Sequence, residues 1–174
     1  QPVERVMERL GESLEGVTVI TNALDVLFRL EDVPGLKVIL TSGEYQKADR
    51  CLVGPSLGSL FERMRADLCF LSVAGVSPDF GISAVDERLA LANSRFVHAA
   101  RRTIALADHT GIGADANHRI ARPDEFHEVI TDDGALPADR QRLRAAGIDV
   151  LIAGEATGEM PQGPGAEEMI AGTP

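Results

Sequence analysis

Tryptophan is absent from the 174-residue chain, tyrosine occurs once, and aromatic residues make up only 4% of it. Its core must therefore be built from Ala, Val, Leu and Ile. Lysine is scarce as well, with Lys37 and Lys47 the only two. The formal net charge of −10 argues against a nucleic-acid surface, because a phosphate backbone is bound by clustered Lys and Arg that release counterions. The basic clusters present, Arg101 with Arg102 and the group Arg140, Arg142 and Arg144, are expected on solvated helix faces. Cys51 and Cys69 stand in no metal-binding or redox spacing. Both read as reduced thiols, with Cys69 in the core among Leu68, Phe70 and Leu71. No apolar run reaches the length needed to span a bilayer, and Gln1 to Glu15 is a charged amphipathic stretch unlike a signal peptide. A cytoplasmic protein with no membrane partner is expected. There is no G-x-G-x-x-G and no P-loop, so no cofactor is expected.

The 44% hydrophobic content is distributed as alternating helix and strand patterns. Val3, Val6, Met7, Leu10 and Leu14 recur at helical spacing. A strand follows over Val17 to Ile20, then a helix capped by Asn22 and carrying Leu24, Leu27, Phe28 and Leu30. Pro34-Gly35 breaks it before a strand over Leu36 to Leu40. Pro55 starts a helix bearing Leu57, Leu60, Phe61 and Met64. Leu68 to Val73 is a nearly all-apolar strand of the kind buried on both faces. A glycine-containing loop, Ala74 to Ala84, leads to a helix over Val85 to Arg102. Strands at Thr103 to Ala107, Glu128 to Thr131 and Ile148 to Ala153 complete the pattern, with a helix over Pro137 to Ala146. Strands joined through helices predict an α/β fold, an open, doubly wound, mostly parallel sheet with helices on both faces. Residues 1–154 read as one domain. Residues 155–174, rich in Gly, Pro and Glu, read as a flexible tail, with a short docked helix around Glu167 to Ala171 as the alternative.

Polar residues collect after the predicted strands: Thr21-Asn22 after the first, Thr41 to Glu44 after the second, Ala74-Gly75 after the third and Asp108 to Thr110 after the fourth. In an open parallel sheet those ends share one edge, where ligands bind. Thr21, Asn22, Gly43, Glu44, Gly75, Asp108 and Thr110 are the candidate ligand-binding residues. Hydroxyls, N–H groups beside glycine and a helix N-terminus suit a phosphate or a polyol. The same residue types also serve as turn formers and caps. His98, His109, His118 and His127 are scattered with no metal-ligand spacing, so no metal site is expected, and only His109 falls on the edge. Asp132-Asp133 reads as a turn before a helix, or else a cation site. Asp86-Glu87 suits the dipole of a helix start.

The ordered set Val17 to Asn22 (VTVITN), Leu52 to Pro55 (LVGP), Ala66 to Leu71 (ADLCFL), Ala105 to Asp108 (ALAD), Gly113 and Val129 to Asp132 (VITD) resembles the C-terminal effector domain of the DeoR family of sugar-metabolism regulators. The resemblance runs from about Met7 to Gly154. It implies a transcriptional regulator, usually a repressor, whose effector domain is similar to ribose-phosphate isomerases and binds a phosphorylated sugar or related metabolite. It also implies operator DNA as a partner only through an N-terminal winged helix-turn-helix that this chain does not contain, and a homo-oligomer. By position, Thr21 and Asn22 match the family's Thr-Asn-Ser segment, and Gly43 and Glu44 its glycine-rich loop. Gly75 matches the loop after the third strand, and Asp108 the Ala-Asp-Ser-Ser-Lys segment.

Several positions depart from that pattern. The family's opening strand and Gly-Thr-Thr loop would precede the first helix, before this chain begins. Ala23 replaces a Ser and Ala74 an Asp, while Asn93 and Gly111 stand where lysines are common. Without those lysines the charge-assisted hydrogen bonds that hold phosphate are fewer, which points to a ligand less charged than a typical sugar phosphate. Two other readings stay open: an assembly module with a degenerate site, and an isomerase-like enzyme using Glu44 or Asp108 as its base.

Overall fold

The computed structural model describes residues 16–153 and 168–172. The amphipathic stretch expected to form a helix before Gly16 lies outside the described residues. The sheet strands are β1 (Thr18–Thr21), β2 (Lys37–Leu40), β5 (Ala66–Ser72), β8 (Ala100–Leu106), β10 (Glu128–Thr131), β11 (Asp149–Ile152) and β12 (Glu168–Gly172). They form one seven-stranded sheet in the order β11-β10-β8-β5-β12-β1-β2, and every pairing in it is parallel. Side chains alternate between its faces, as the two-residue period of a strand requires. Ile20, Cys69, Leu71, Ala105, Val129 and Val150 join one apolar cluster. Val19, Phe70, Ile104 and Leu106 join another.

Helices cover both faces. On the second cluster lies α1 (Leu24–Leu30), through Val26 and Leu30. On the first lie α2 (Leu57–Phe61), α3 (Glu87–Ala99) and α4 (Pro137–Ala145), through Leu57, Phe61, Leu89, Phe96 and Leu143. Phe61 and Phe96 meet edge-on with ring centroids 5.0 Å apart, a favoured aromatic geometry. The α/β, parallel, helix-flanked architecture is thus the one the hydrophobic pattern predicts.

Several local expectations need correction. Residues 168–172, assigned to a flexible tail or a docked helix, form β12, paired with β1 on one side and β5 on the other; residues 154–167 and 173–174 lie outside the described residues. Asn22 is not the cap of α1. Ala23 occupies that position, and its N–H is held by Thr21 Oγ1 at 3.0 Å. Arg101 and Arg102 lie in β8, since α3 stops at Ala99, and Arg102 pairs with the buried carboxylate of Glu128 on the adjacent strand. Phe28, one of the apolar residues carried by α1, is 57% exposed.

The two polar loops are also more ordered than expected. The segment after β2 folds into a hairpin of β3 (Glu44–Gln46) and β4 (Cys51–Val53). The glycine-containing loop after β5 forms β6 (Gly75–Ser77) and β7 (Gly81–Ala84), and β9 (His118–Ala121) joins β7 to make a three-stranded antiparallel sheet.

Candidate functional site

The chain leaves the centre of the sheet in both directions. From β1 it steps outward to β2, and from β5 it steps the other way to β8, β10 and β11. Adjacent strands whose connections diverge open a crevice at their C-terminal ends, here at β1, β12 and β5. Ladder bonds level the end of β1 with that of β2, and the end of β5 with those of β8 and β10: Thr41 N–H donates to Thr21 O at 2.9 Å, Val73 N–H to Leu106 O at 3.0 Å and Ala107 N–H to Ile130 O at 3.1 Å.

Thr21 and Asn22 are wholly buried here. Asn22 clasps β4, its Nδ2 donating to Leu52 O at 3.0 Å and its backbone O accepting from Leu52 N–H at 2.8 Å. Its Oδ1 has no partner among the described residues, nor do Thr41 Oγ1, Ser72 Oγ and Thr131 Oγ1. All four residues lie at or just beyond the C-terminal ends of β1, β2, β5 and β10. A buried polar atom left without a partner costs about 1–3 kcal/mol, so their collection on one edge marks a place built to receive hydrogen bonds. Asn93, midway along α3, is also wholly buried with both side-chain polar atoms unpartnered among the described residues.

On the far side of β5, Asp108 and Thr110 are exposed. Asp108 Oδ1 accepts the Thr110 N–H at 2.9 Å and the Thr110 hydroxyl. Those bonds, the hydroxyl's first, hold the Asp108 carboxyl below the usual carboxylate range. Beside it, Asp132 grips His109 twice. Oδ2 accepts the His109 backbone N–H at 2.9 Å, and Oδ1 lies 2.9 Å from ring Nδ1. Oδ1 also accepts Gly134 N–H at 2.9 Å. The backbone N–H of His109 is the largest influence holding Asp132 below its ordinary value. Three strand spacings of about 4.8 Å each separate β1 from β8, roughly 14 Å in all.

The remaining candidates do other work. Gly43 adopts φ +154°, and a Cβ there would sit 2.7 Å from Val53 O, so it permits the β3–β4 hairpin. A Cβ on Gly75 would meet Ala114 O at 2.6 Å and Ser83 Oγ at 2.7 Å, so it lets the post-β5 loop press on the post-β8 loop. Glu44 is exposed and bound to Arg88 of α3 at 2.7 Å, which lowers its carboxyl below the usual range. The structure thus brings Thr21 with Asn22, and Asp108 with Thr110, onto one edge, and gives Gly43, Gly75 and Glu44 structural contacts. Sequence reasoning missed Ser72 and Thr131 as edge residues; the available signal was a hydroxyl ending an otherwise apolar strand. The Asp132–His109 bond joins residues 23 apart and leaves no local signal.

Among the described residues, no group of three or more His, Cys, Asp and Glu side chains gathers as a metal site would need. None of the described helices is long and apolar enough to cross a membrane.

Comparison with known proteins identifies the architecture. Residues 3–133 match the family described as the DeoR C-terminal sensor domain. Among curated proteins, the HTH-type transcriptional repressor GlcR of Bacillus subtilis is 28% identical over 142 residues, 82% of this chain and 55% of its own length. The HTH-type transcriptional regulator GolR of Listeria innocua is 30% identical over 147 residues, 83% of this chain and 58% of its own. The UlaR regulator of Salmonella arizonae is 30% identical over 144 residues, covering 82% and 57% respectively. The chain therefore spans little more than half the length of the curated relatives it matches. With its parallel sheet and polar strand-end edge, it belongs to the DeoR family, as a C-terminal sensor domain.

Proposed function

We propose that this domain senses a phosphorylated sugar or a related polyhydroxylated metabolite, and that binding changes how a transcriptional regulator engages its operator. One observation carries the reading: the buried, unpartnered oxygens of Asn22 and Ser72 belong to the ends of β1 and β5, two strand spacings or about 10 Å apart where the strands diverge. A ligand rich in hydroxyl and phosphate oxygens, with donors and acceptors on one small frame, supplies the partners those atoms lack. The relatives are named as HTH-type repressors and regulators, which favours a non-catalytic role. DNA contact belongs to a helix-turn-helix elsewhere in such a regulator, in keeping with the net charge of −10 here. A homo-oligomer would transmit the signal by binding the ligand better in one of two arrangements.

The test is thermal denaturation of the 174-residue chain against ribose 5-phosphate, fructose 6-phosphate, glycerol 3-phosphate, the parent sugars and inorganic phosphate. Ligand that binds the native state raises the melting temperature in proportion to occupancy. Ser72→Ala should raise the ligand-free melting temperature by removing an unpaired hydroxyl and at the same time shrink the ligand-induced rise. If no compound stabilises the protein at millimolar concentration, the sensing assignment fails for this edge.

A further inference from the structure

We infer that His109, fixed by Asp132, is a specificity-determining residue that accepts a hydrogen bond from a ligand hydroxyl, and that with Asp108 it forms the hydroxyl-reading end of the edge. This rests on the sensor reading and adds to it the orientation of the ligand. Three contacts fix the residue. Asp132 Oδ1 faces ring Nδ1 at 2.9 Å, Asp132 Oδ2 accepts the backbone N–H of the same residue at 2.9 Å, and Gly134 sits close beside the ring. A Cβ on Gly134 would come within 2.7 Å of His109 Cγ and 2.9 Å of Nδ1, so only glycine leaves space for the imidazole there.

A carboxylate is an acceptor only. Facing Nδ1, it places the proton of the neutral imidazole on that nitrogen, and Nε2 is left with a lone pair. Nε2 has no partner among the described residues, and the side chain is 51% exposed, so it is reachable. On the preceding residue, Thr110 engages only Oδ1 of Asp108. Two consecutive residues thus present acceptors, with Asp132 adding negative charge behind them. Such a group repels a phosphate and suits a pair of hydroxyl donors, as on neighbouring carbons of a sugar. The phosphate end of a ligand therefore belongs towards β1 and β2.

The deciding variant is His109→Asn, whose Nδ2 can replace Nδ1 as donor to Asp132 while nothing replaces Nε2. Affinities for ribose 5-phosphate, fructose 6-phosphate, the parent sugars and inorganic phosphate are measured by calorimetry in wild type and variant. Ring ¹⁵N shifts are recorded by NMR at pH 8. The expected result is an Nδ1–H tautomer for His109, an Nε2 resonance that moves with sugar phosphate but not with inorganic phosphate, and sugar-phosphate affinity lowered tenfold or more in His109→Asn at unchanged melting temperature. Unchanged sugar-phosphate affinity in His109→Asn, or an Nε2–H tautomer, overturns the role of His109 and leaves the sensor reading standing. If the wild type binds none of these compounds, both readings fall together.

Discussion

Asp86 Oδ1 accepts the backbone N–H of Leu89 at 2.9 Å, and this bond marks where the thirteen-residue helix α3 begins. The helix start leaves N–H groups without partners inside the helix, and the Asp86 carboxylate satisfies one while opposing the positive end of the helix dipole. Asp86→Ala should lower the unfolding free energy by about 1 kcal/mol, with Asp86→Asn retaining most of it. Urea titrations of the three proteins would measure the difference, and equal midpoints would show that the cap contributes nothing.

Acid should destabilise the protein through a defined set of carboxylates. Asp25 is lowered first by the side chain of Arg50, Glu44 by Arg88, Asp86 by the Leu89 N–H, Asp108 by the Thr110 hydroxyl and Asp132 by the His109 N–H. Each folded-state value lies below its unfolded one. The stability these groups contribute is therefore present above the unfolded values, near pH 4, and is lost as pH falls through the folded ones. Melting temperature should be nearly flat from pH 7 to pH 5 and drop steeply below about pH 4. A flat profile down to pH 3 would contradict the ion pairs and caps described.

Both thiols should be inert in the native protein. Burial pushes Cys69 up to about 12, and burial with the nearby charges of Asp49 and Asp86 pushes Cys51 up to about 11. The thiolate is the reactive form. At pH 8 a thiol reagent should titrate no cysteine in the folded chain and both after denaturation in guanidinium.

Two glycine substitutions should act with opposite sign. Gly75→Ala drives a Cβ to within 2.6 Å of the Ala114 carbonyl oxygen and should cost about 1–3 kcal/mol as the loops are forced apart. Gly58, in α2, would place its Cβ in ordinary contact at 3.5 Å from Arg95. Gly58→Ala should therefore raise stability by about 0.5–1 kcal/mol, because the unfolded chain loses freedom. Melting curves of both variants decide the matter.

What could be read from the sequence followed the range over which each signal acts. The strand β5 was legible because an apolar run buried on both faces needs no partner to be recognised. The helix α3 was legible from its periodicity, but not its end, since Arg101 and Arg102 continue a helix-compatible composition into β8. The strands β6, β7 and β9 are three or four residues long. Their pairing depends on distant contacts, such as the Ser83 hydroxyl held between Gly75 O and Ala116 N–H. The edge position of Thr21 and Asp108 was visible in the alternation of elements. The contacts of Asn22 with Leu52 and of His109 with Asp132 required the fold, because each joins segments separated by more than twenty residues.

The position of β12 also governs the order in which the molecule can assemble. Thr18 pairs with Glu168 and Leu68 with Met169, so each neighbour of this strand is laid down long before it. Until it arrives, β1 with β2 on one side and β5 with β8, β10 and β11 on the other are two separate ribbons, each with an unpaired inner edge. Contacts of such sequence separation form slowly, because a long stretch of chain must close first. During that interval the waiting gap, one strand wide and flanked by hydrogen-bonding groups on both sides, is open to the corresponding segment of another molecule. Refolding yield should therefore fall with protein concentration far more sharply than the stability of the finished sheet would suggest.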